Sequence, residues 1–189
     1  MEKKLSEMTL AELWQLFPIF LAPHQSCWRG WFCEEKAALQ TLLPAACRIE
    51  HIGSTAVSTI WAKPIIDILI EMPSEAALAG GRERLARGGY LCMSQSAGRC
   101  SFNKGYTEHG FAERVFHLHL RLLGDNDELY FRDLLLECPA VAREYEAVKL
   151  ALWKEYEHDR DAYTRAKTAF VQKYTQQAKL RYQNRYAAA

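Results

Sequence analysis

The part of the chain best equipped for chemistry is the run Glu50-His51-Ile52-Gly53-Ser54-Thr55, in which a short apolar segment ends in Gly-Ser-Thr. Gly53 lets a ligand approach the backbone closely, and the hydroxyls of Ser54 and Thr55 are further hydrogen-bond donors. If a helix begins at this turn, its free backbone amides also favour an anion. The pattern predicts a phosphate-binding turn, and the competing interpretation is a turn with a purely structural role.

A second reactive position is Asp67, which lies in the apolar run Pro64 to Met72 together with Glu71. On a strand, Asp67 and Glu71 share one face because side chains alternate. A carboxylate among isoleucines is costly to bury unless it binds a cation or accepts hydrogen bonds. Asp67 is therefore a candidate metal ligand and catalytic residue. The simpler interpretation is an acceptor for backbone amides.

Two histidines occur two residues apart in the segment Val115-Phe116-His117-Leu118-His119, which has the pattern of a strand. His117, His119 and Arg121 would then share one face. If this strand lies beside the strand of Asp67, two imidazoles converge on one carboxylate, a set that suits a transition metal better than Mg²⁺. The alternatives are imidazoles that bind phosphate or donate protons without metal, and two surface histidines with no shared role.

These residues need a sheet to bring them together, and the hydrophobic periodicity predicts one between two helical regions. We predict a single α+β domain over residues 1–189, with N-terminal helices in 9–43, a sheet core in 47–123 and a helical C-terminal extension in 127–182. The predicted strands are Arg48 to Ile52, Pro64 to Met72 and Val115 to Leu123, with weaker ones at Tyr90 to Ser94 and Ser101 to Lys104.

Several motifs, in order, resemble the GrpB family of the nucleotidyltransferase superfamily. They are Glu50 to Val57 (E-H-I-G-S-T-A-V), Lys63 to Ile68 (K-P-I-I-D-I), Arg114 to His119 (R-V-F-H-L-H) and Phe131-Arg132-Asp133. The resemblance implies a nucleotidyltransferase-like mixed β-sheet flanked by helices. It also implies that the Gly53-Ser54-Thr55 turn holds nucleotide phosphates and that carboxylates hold a divalent metal.

One residue departs from the superfamily pattern, which places two acidic residues two apart on one strand so that they can clamp two Mg²⁺ ions. Leu69 stands at the second acidic position. Glu71 would be about 13 Å from Asp67 at the usual strand rise. The predicted catalytic residues and metal ligands are therefore Asp67, His117 and His119, with Mg²⁺, Mn²⁺ or Zn²⁺ as the divalent metal.

Basic residues lie within or next to these motifs, and they are predicted to contact phosphate. A single basic residue is more often a solvated charge. Tyr145 and Tyr163 each precede a lysine by one helical turn, so each pair shares a helix face. Of the whole set, Lys63 and Arg132 rank first as phosphate ligands. The set is Lys63, Lys104, Arg114, Arg132, Lys149 and Lys167.

The composition restricts the partner. The 24 Lys and Arg residues against 23 Asp and Glu give a net charge of +1, which does not favour nucleic acid, although basic and aromatic residues near the C-terminus could serve a single RNA strand. No apolar run reaches the about 20 residues of a membrane span, so we expect no membrane association and a cytoplasmic location. The six cysteines show no metal or disulfide spacing and are expected to be free thiols.

The predicted function is that of a nucleotidyltransferase-like protein that binds a nucleoside triphosphate or another phosphorylated small molecule. As an enzyme, it would hold phosphate at Ser54 and metal at Asp67, His117 and His119. The alternative is a noncatalytic nucleotide-binding or metabolite-binding protein that has lost the second acidic residue. Leu69 favours this alternative.

Overall fold

The computed structural model describes residues 3–186, which form one mixed sheet with helices on both faces. The strands are β1 (Arg48–Ile52), β2 (Ile66–Met72), β3 (Leu91–Ser96), β4 (Arg99–Thr107) and β5 (Gly110–Leu122). The helices are α1 (Leu10–Leu16), α2 (Cys27–Leu42), α3 (Glu75–Arg87), α4 (Asp127–Glu137), α5 (Pro139–Glu155) and α6 (Arg160–Tyr182). Single turns of 3₁₀ helix occupy Leu5–Glu7 and Ser54–Ala56.

The strand order is β1-β2-β5-β4-β3. β2 and β5 run parallel at the centre, and the other neighbouring pairs are antiparallel. A mixed sheet flanked by helices, followed by a helical C-terminal region, confirms the predicted fold class. Within residues 3–186, no helix combines the length and the apolar character needed to cross a membrane.

The alternation of side chains along β2 and β5 decides which face of the sheet is the main core. Ile66, Ile68 and Ile70 of β2 and the matching residues of β5 point towards α2 and α3, where they are fully buried or nearly so. Burial of each such side chain contributes about 1.5 to 3 kcal/mol. The intervening residues of the two strands, which carry the polar groups, therefore point to the opposite face.

On that opposite face, the helices α4, α5 and α6 pack beside the sheet. Leu69 is buried there against Ile52 and Leu129. It therefore makes an apolar contact at the position that holds the second acidic residue in the superfamily pattern. Glu71 is also buried and is fully occupied, because its carboxylate accepts hydrogen bonds from Arg48 and from the loop after β5. Glu71 therefore anchors that loop and does not belong to the candidate site.

Two strands are longer than the sequence indicated. β5 begins at Gly110 and not at Val115, and β4 extends to Thr107, because the two form one hairpin that pairs Tyr106 with Phe111. A register irregularity falls at Gly105, which has φ +90°, and a side chain there would collide with the carbonyl of Arg114. The irregularity conceals the alternating pattern from a sequence-based prediction.

Candidate functional site

The turn after β1 lies directly against Asp67 of the neighbouring strand. Ile52, the last residue of β1, pairs with Asp67, and Gly53 follows with φ +72°. A Cβ atom on Gly53 would lie 2.5 Å from Asp67 Oδ2. Only glycine permits both this backbone conformation and this close approach. The glycine in the Gly-Ser turn is therefore required by the carboxylate beside it.

The histidines of β5 meet the same carboxylate from the other side. Because β2 and β5 are parallel neighbours, Asp67 pairs with His117, and Leu69 pairs with His119. His117 Nδ1 and His119 Nε2 each lie 3.4 Å from Asp67 Oδ1. The structure thus brings together the three residues that were predicted as catalytic and metal-binding.

The outer nitrogens of the two imidazoles determine which tautomer faces Asp67. Arg121 Nη2 lies 3.4 Å from His119 Nδ1, and a guanidinium can only donate, so the proton of His119 is on Nε2 and points to Asp67. His117 Nδ1 faces Asp67 Oδ1, and a carboxylate can only accept, so the proton of His117 is on Nδ1. His117 Nε2 then accepts from the hydroxyl of Tyr106, which lies 2.8 Å away. Asp67 Oδ1 therefore accepts two N–H donors.

These contacts control the ionisation of the cluster. Burial by itself would raise the pKa of the Asp67 carboxyl, but the bonds from His117 and His119 outweigh it and hold that pKa well below its usual range. Burial also lowers the pKa of His117, although Asp67 acts in the opposite sense. At neutral pH the Asp67 carboxyl is therefore ionised, and it accepts hydrogen bonds from both imidazoles.

The donor arrangement does not fit a metal centre of Asp67, His117 and His119. A metal ligand must offer a nitrogen lone pair, whereas both imidazoles present an N–H to the carboxylate. Within residues 3–186, no group of three or more His, Cys, Asp or Glu side chains is placed to hold a metal ion. We therefore derive no step through Mg²⁺, Mn²⁺ or Zn²⁺.

Three lysines lie close to one another beside the Gly53-Ser54 turn and Asp67. Lys149 is only 2% exposed, and its ammonium group donates to Ser54 Oγ at 3.1 Å and to the carbonyl of Trp61. Lys63 and Lys167 lie over the ring of Tyr163, at 5.4 and 4.2 Å from its centroid. Tyr163 is fully buried, and its hydroxyl has no hydrogen-bond partner among the described residues.

The lysines lie in a region of excess positive charge. Burial and the neighbouring cations lower the pKa of Lys63 to about 7 and that of Lys149 to about 7. Burial lowers the pKa of Lys167 to about 8, with Asp67 opposing the change. Burial and the Asp67 charge raise the pKa of Tyr145, beside Lys149, to about 12. The two nearby carboxylates, Asp67 and Glu146, are thus insufficient to balance the three ammonium groups and Arg160.

A cleft of about 750 Å³ opens over the Gly53-Ser54 turn, between the sheet and the three C-terminal helices. Its floor includes Asp67 and His119. Aromatic and aliphatic side chains form one wall, and acidic residues form the end beyond β5. The wall comprises Phe131, Leu135, Tyr145 and Val171, with Lys167, Gln172 and Thr175 beside it, and the acidic end comprises Asp125, Asp127 and Glu128.

Three of the predicted phosphate ligands, Lys104, Arg114 and Thr55, have other partners. Lys104 pairs with Glu35 of α2 on the opposite face of the sheet, and Arg114 pairs with Glu34 of the same helix, so neither belongs to the cleft. Their positions in the strands decide this, because alternate residues face away from Asp67. The Thr55 hydroxyl is buried against His51 and the carbonyl of Ile65.

Arg132 reaches the edge of the cleft, but its donors are already used. Its guanidinium binds Glu50, Asp133, the carbonyl of His51 and the hydroxyl of Tyr186. The prediction ranked Lys63 and Arg132 above Lys149 and Lys167. The structure reverses part of that order, because Lys149 contacts Ser54 and Lys167 lines the cleft, whereas Arg132 is neutralised by its own neighbours.

Basic residues near the C-terminus are similarly occupied. Lys179 pairs with Asp127 of α4, and Arg181 and Arg185 pair with Glu137 at the end of that helix. The acidic residues of α4 thus oppose the basic part of α6 and the residues after it. These ion pairs do not favour an RNA strand along the tail.

Two residues orient the histidines, and the sequence analysis missed Tyr106 and assigned no role to Arg121. Tyr106 was not identified because the irregularity at Gly105 interrupts the strand pattern before it. Arg121 shares the face of His117 and His119, and that alternation was a usable signal for its contact with His119.

Comparison with known proteins identifies the family of this chain. The family model described as GrpB protein matches residues 18–177. The chain belongs to the GrpB family. The Glutamate-rich protein GrpB of Alkalihalophilus pseudofirmus is 36% identical over 160 residues, which are 81% of this chain and 91% of that protein. UPF0157 protein PA4798 of Pseudomonas aeruginosa is 38% identical over 160 residues, which are 81% of this chain and 64% of that protein.

A solved structure shares the GrpB fold. The conserved protein GrpB from Enterococcus faecalis is 31% identical with a TM-score of 0.74, covering 86% of this chain and 99% of that one. A weaker likeness, with a TM-score of 0.42 and 14% identity, is to the Cid1 poly(U) polymerase, and it covers 75% of this chain and 44% of that one. That weaker likeness carries no conclusion about activity.

Proposed function

We propose that this GrpB-family chain binds a phosphorylated small molecule, such as a nucleotide, in the cleft over the Gly53-Ser54 turn. The observation that carries the proposal is an excess of cations, since Lys63, Lys149, Lys167 and Arg160 outnumber the nearby carboxylates of Asp67 and Glu146. Buried ammonium groups without matching carboxylates raise the free energy of the folded chain. A phosphate placed among them would supply the missing negative charge.

The contacts of Lys149 make it the central ligand in this proposal. Its ammonium group has three protons, and Ser54 Oγ and the Trp61 carbonyl accept two of them. The third proton is available to a ligand that reaches the Ser54 hydroxyl. Lys167, on the neighbouring helix, would meet the same ligand from the wall of the cleft.

The remainder of the cleft suits the organic part of such a ligand. Phe131 and Tyr145 pack edge to face, with ring centroids 5.2 Å apart, and Leu135 and Val171 extend the apolar surface. A few polar side chains beside an apolar wall are typical of small-molecule sites, since they fix orientation while the wall excludes water. A base with its ribose, or another apolar group of that size, fits this description.

Of the two predicted classes, we favour binding without group transfer. Leu69 is buried at the second acidic position, and Asp67 Oδ1 accepts hydrogen bonds from two imidazoles and so is not a free metal ligand. Transfer of a nucleotidyl group would be revealed by label from an α-labelled nucleoside triphosphate on protein, nucleic acid or a small acceptor. Label transfer that is abolished by Asp67→Asn would replace the binding proposal with the enzymatic one.

A thermal-shift panel tests binding. Phosphorylated compounds and their dephosphorylated counterparts are added to wild type, Lys149→Gln, Lys167→Gln and the control Lys154→Gln, whose residue is exposed on the same helix as Lys149. A ligand at about 100 times its Kd stabilises a protein by roughly 2.7 kcal/mol, which raises the Tm of a chain of this size by roughly 5 to 10 °C. We expect this shift in wild type and the control, and a smaller one in the other two variants. No shift with any phosphorylated compound contradicts the proposal.

A further inference from the structure

The balance of charge at the site restricts which phosphate group it accepts. Lys63, Lys149, Lys167 and Arg160 carry four positive charges when all are protonated, and Asp67 and Glu146 carry two negative charges, so two positive charges are left over. A bound anion favours the protonated form of each lysine. Arg132 does not add to them, because Glu50 and Asp133 already neutralise it. A phosphate monoester carries about −1.5 to −2 charges at neutral pH, which matches this excess. A free triphosphate carries about two negative charges more and depends on Mg²⁺ to offset them.

The protein offers no pair of free carboxylates to share such a Mg²⁺ ion. Both imidazoles donate to Asp67 Oδ1, so this oxygen is already hydrogen-bonded. Leu69 replaces the second acid, and the Glu71 carboxylate is committed to Arg48 and to the loop after β5. The neutralising role that Mg²⁺ has in other phosphate sites is instead available from ammonium groups.

We infer, on the basis of the proposed function, that the ligand is a phosphate monoester that binds as a dianion without a divalent metal. The ammonium groups of Lys149 and Lys167 contact its phosphate beside Ser54, Lys63 contributes charge from behind the Tyr163 ring, and the organic group lies against Phe131 and Tyr145. The ligand class is thus a singly phosphorylated metabolite, and Mg²⁺-chelated triphosphates are excluded as the preferred ligand.

Calorimetric titrations with inorganic phosphate, AMP and ATP, each in excess EDTA and in excess Mg²⁺, test the inference on the full chain. We expect phosphate or AMP to bind with a Kd that changes by less than about twofold between EDTA and Mg²⁺, and to bind at least about tenfold more tightly than ATP. Removing a charge-assisted hydrogen bond costs about 1.5 to 3 kcal/mol, so Lys167→Gln should weaken binding by about tenfold or more. Lys154→Gln should leave the Kd unchanged.

The outcomes separate the two proposals. Binding of ATP that requires Mg²⁺ and is lost in EDTA overturns the monoester inference, while the proposed phosphate-binding function stands. Monoester binding that is insensitive to Lys167→Gln also overturns it, because the phosphate then lies elsewhere. If neither phosphate, AMP nor ATP binds under either condition, the proposed function and the inference both fail. Lys167 is half-buried and forms no ion pair that the fold needs, so its variant keeps the test valid if Lys149→Gln does not fold.

Discussion

Replacing Lys149 should change how the stability of the protein depends on pH. The pKa of this lysine is about 7 in the folded protein, against an ordinary value of 10.5. At pH values between about 7 and 10.5, the Lys149 side chain is protonated in the unfolded chain and deprotonated in the folded chain. Because the unfolded state then binds more protons, the free energy of unfolding increases as the pH rises.

The magnitude follows from the same two pKa values. Each pH unit over which only the unfolded chain is protonated contributes about 1.4 kcal/mol. Near pH 7 the folded lysine is still half protonated, so raising the pH from about 7 to about 9 should stabilise wild type by roughly 2 kcal/mol through this group. Lys149→Met lacks this contribution. Its lost hydrogen bonds to Ser54 and Trp61 lower stability by an amount that does not vary with pH.

Urea denaturation of both proteins over about pH 6 to 9 measures the effect. Between about pH 7 and 9, we expect the free energy of unfolding to increase by roughly 2 kcal/mol more for wild type than for Lys149→Met. The two proteins should have equal denaturant slopes. The control Lys154→Met changes an exposed lysine of the same helix and should follow wild type. Parallel curves for wild type and Lys149→Met would show that Lys149 keeps an ordinary pKa, and would remove the charge argument for the site.

Two further substitutions test the fold around the site and its limits. Gly53→Ala places a side chain against Asp67 Oδ2 at a positive φ, so it should lower the free energy of unfolding by about 1 to 3 kcal/mol in urea denaturation. The control Gly80→Ala, in an open helical position, should raise that free energy by up to about 1 kcal/mol. Lys104→Gln leaves the buried Glu35 without its cation and should cost about 1 kcal/mol of stability while phosphate binding stays unchanged; weaker binding would place Lys104 in the site after all.

The sequence predicted most of the secondary structure because its signals are local. Thr9 and Glu12 have the spacing of a capping box, which predicts a helix start at this point. The box forms at the start of α1, since Glu12 N donates to Thr9 Oγ1 and Thr9 N donates to the Glu12 carboxylate. The alternation in β2 and β5 separated the core residues from Asp67 and His117. What it could not predict was the extent of the β4–β5 hairpin, because Gly105 interrupts the alternation.

For the site, the sequence predicted which residues converge but not what they do there. The meeting of Asp67, His117 and His119 followed from placing two strands side by side. Their tautomers depend on Arg121 and Tyr106, which are tertiary contacts. Likewise, no local pattern distinguishes Lys149, which donates to Ser54, from Lys104, which pairs with a glutamate on the other face of the sheet.

The parallel pairing of β2 with β5 also has a consequence for folding. The hairpins β3–β4 and β4–β5 join neighbouring segments, whereas Asp67 meets His117 only after the chain closes a loop of about 50 residues. Contacts that span so much sequence form late. We therefore expect the proposed phosphate site to form near the end of folding, so a bound phosphate should slow unfolding much more than it speeds refolding.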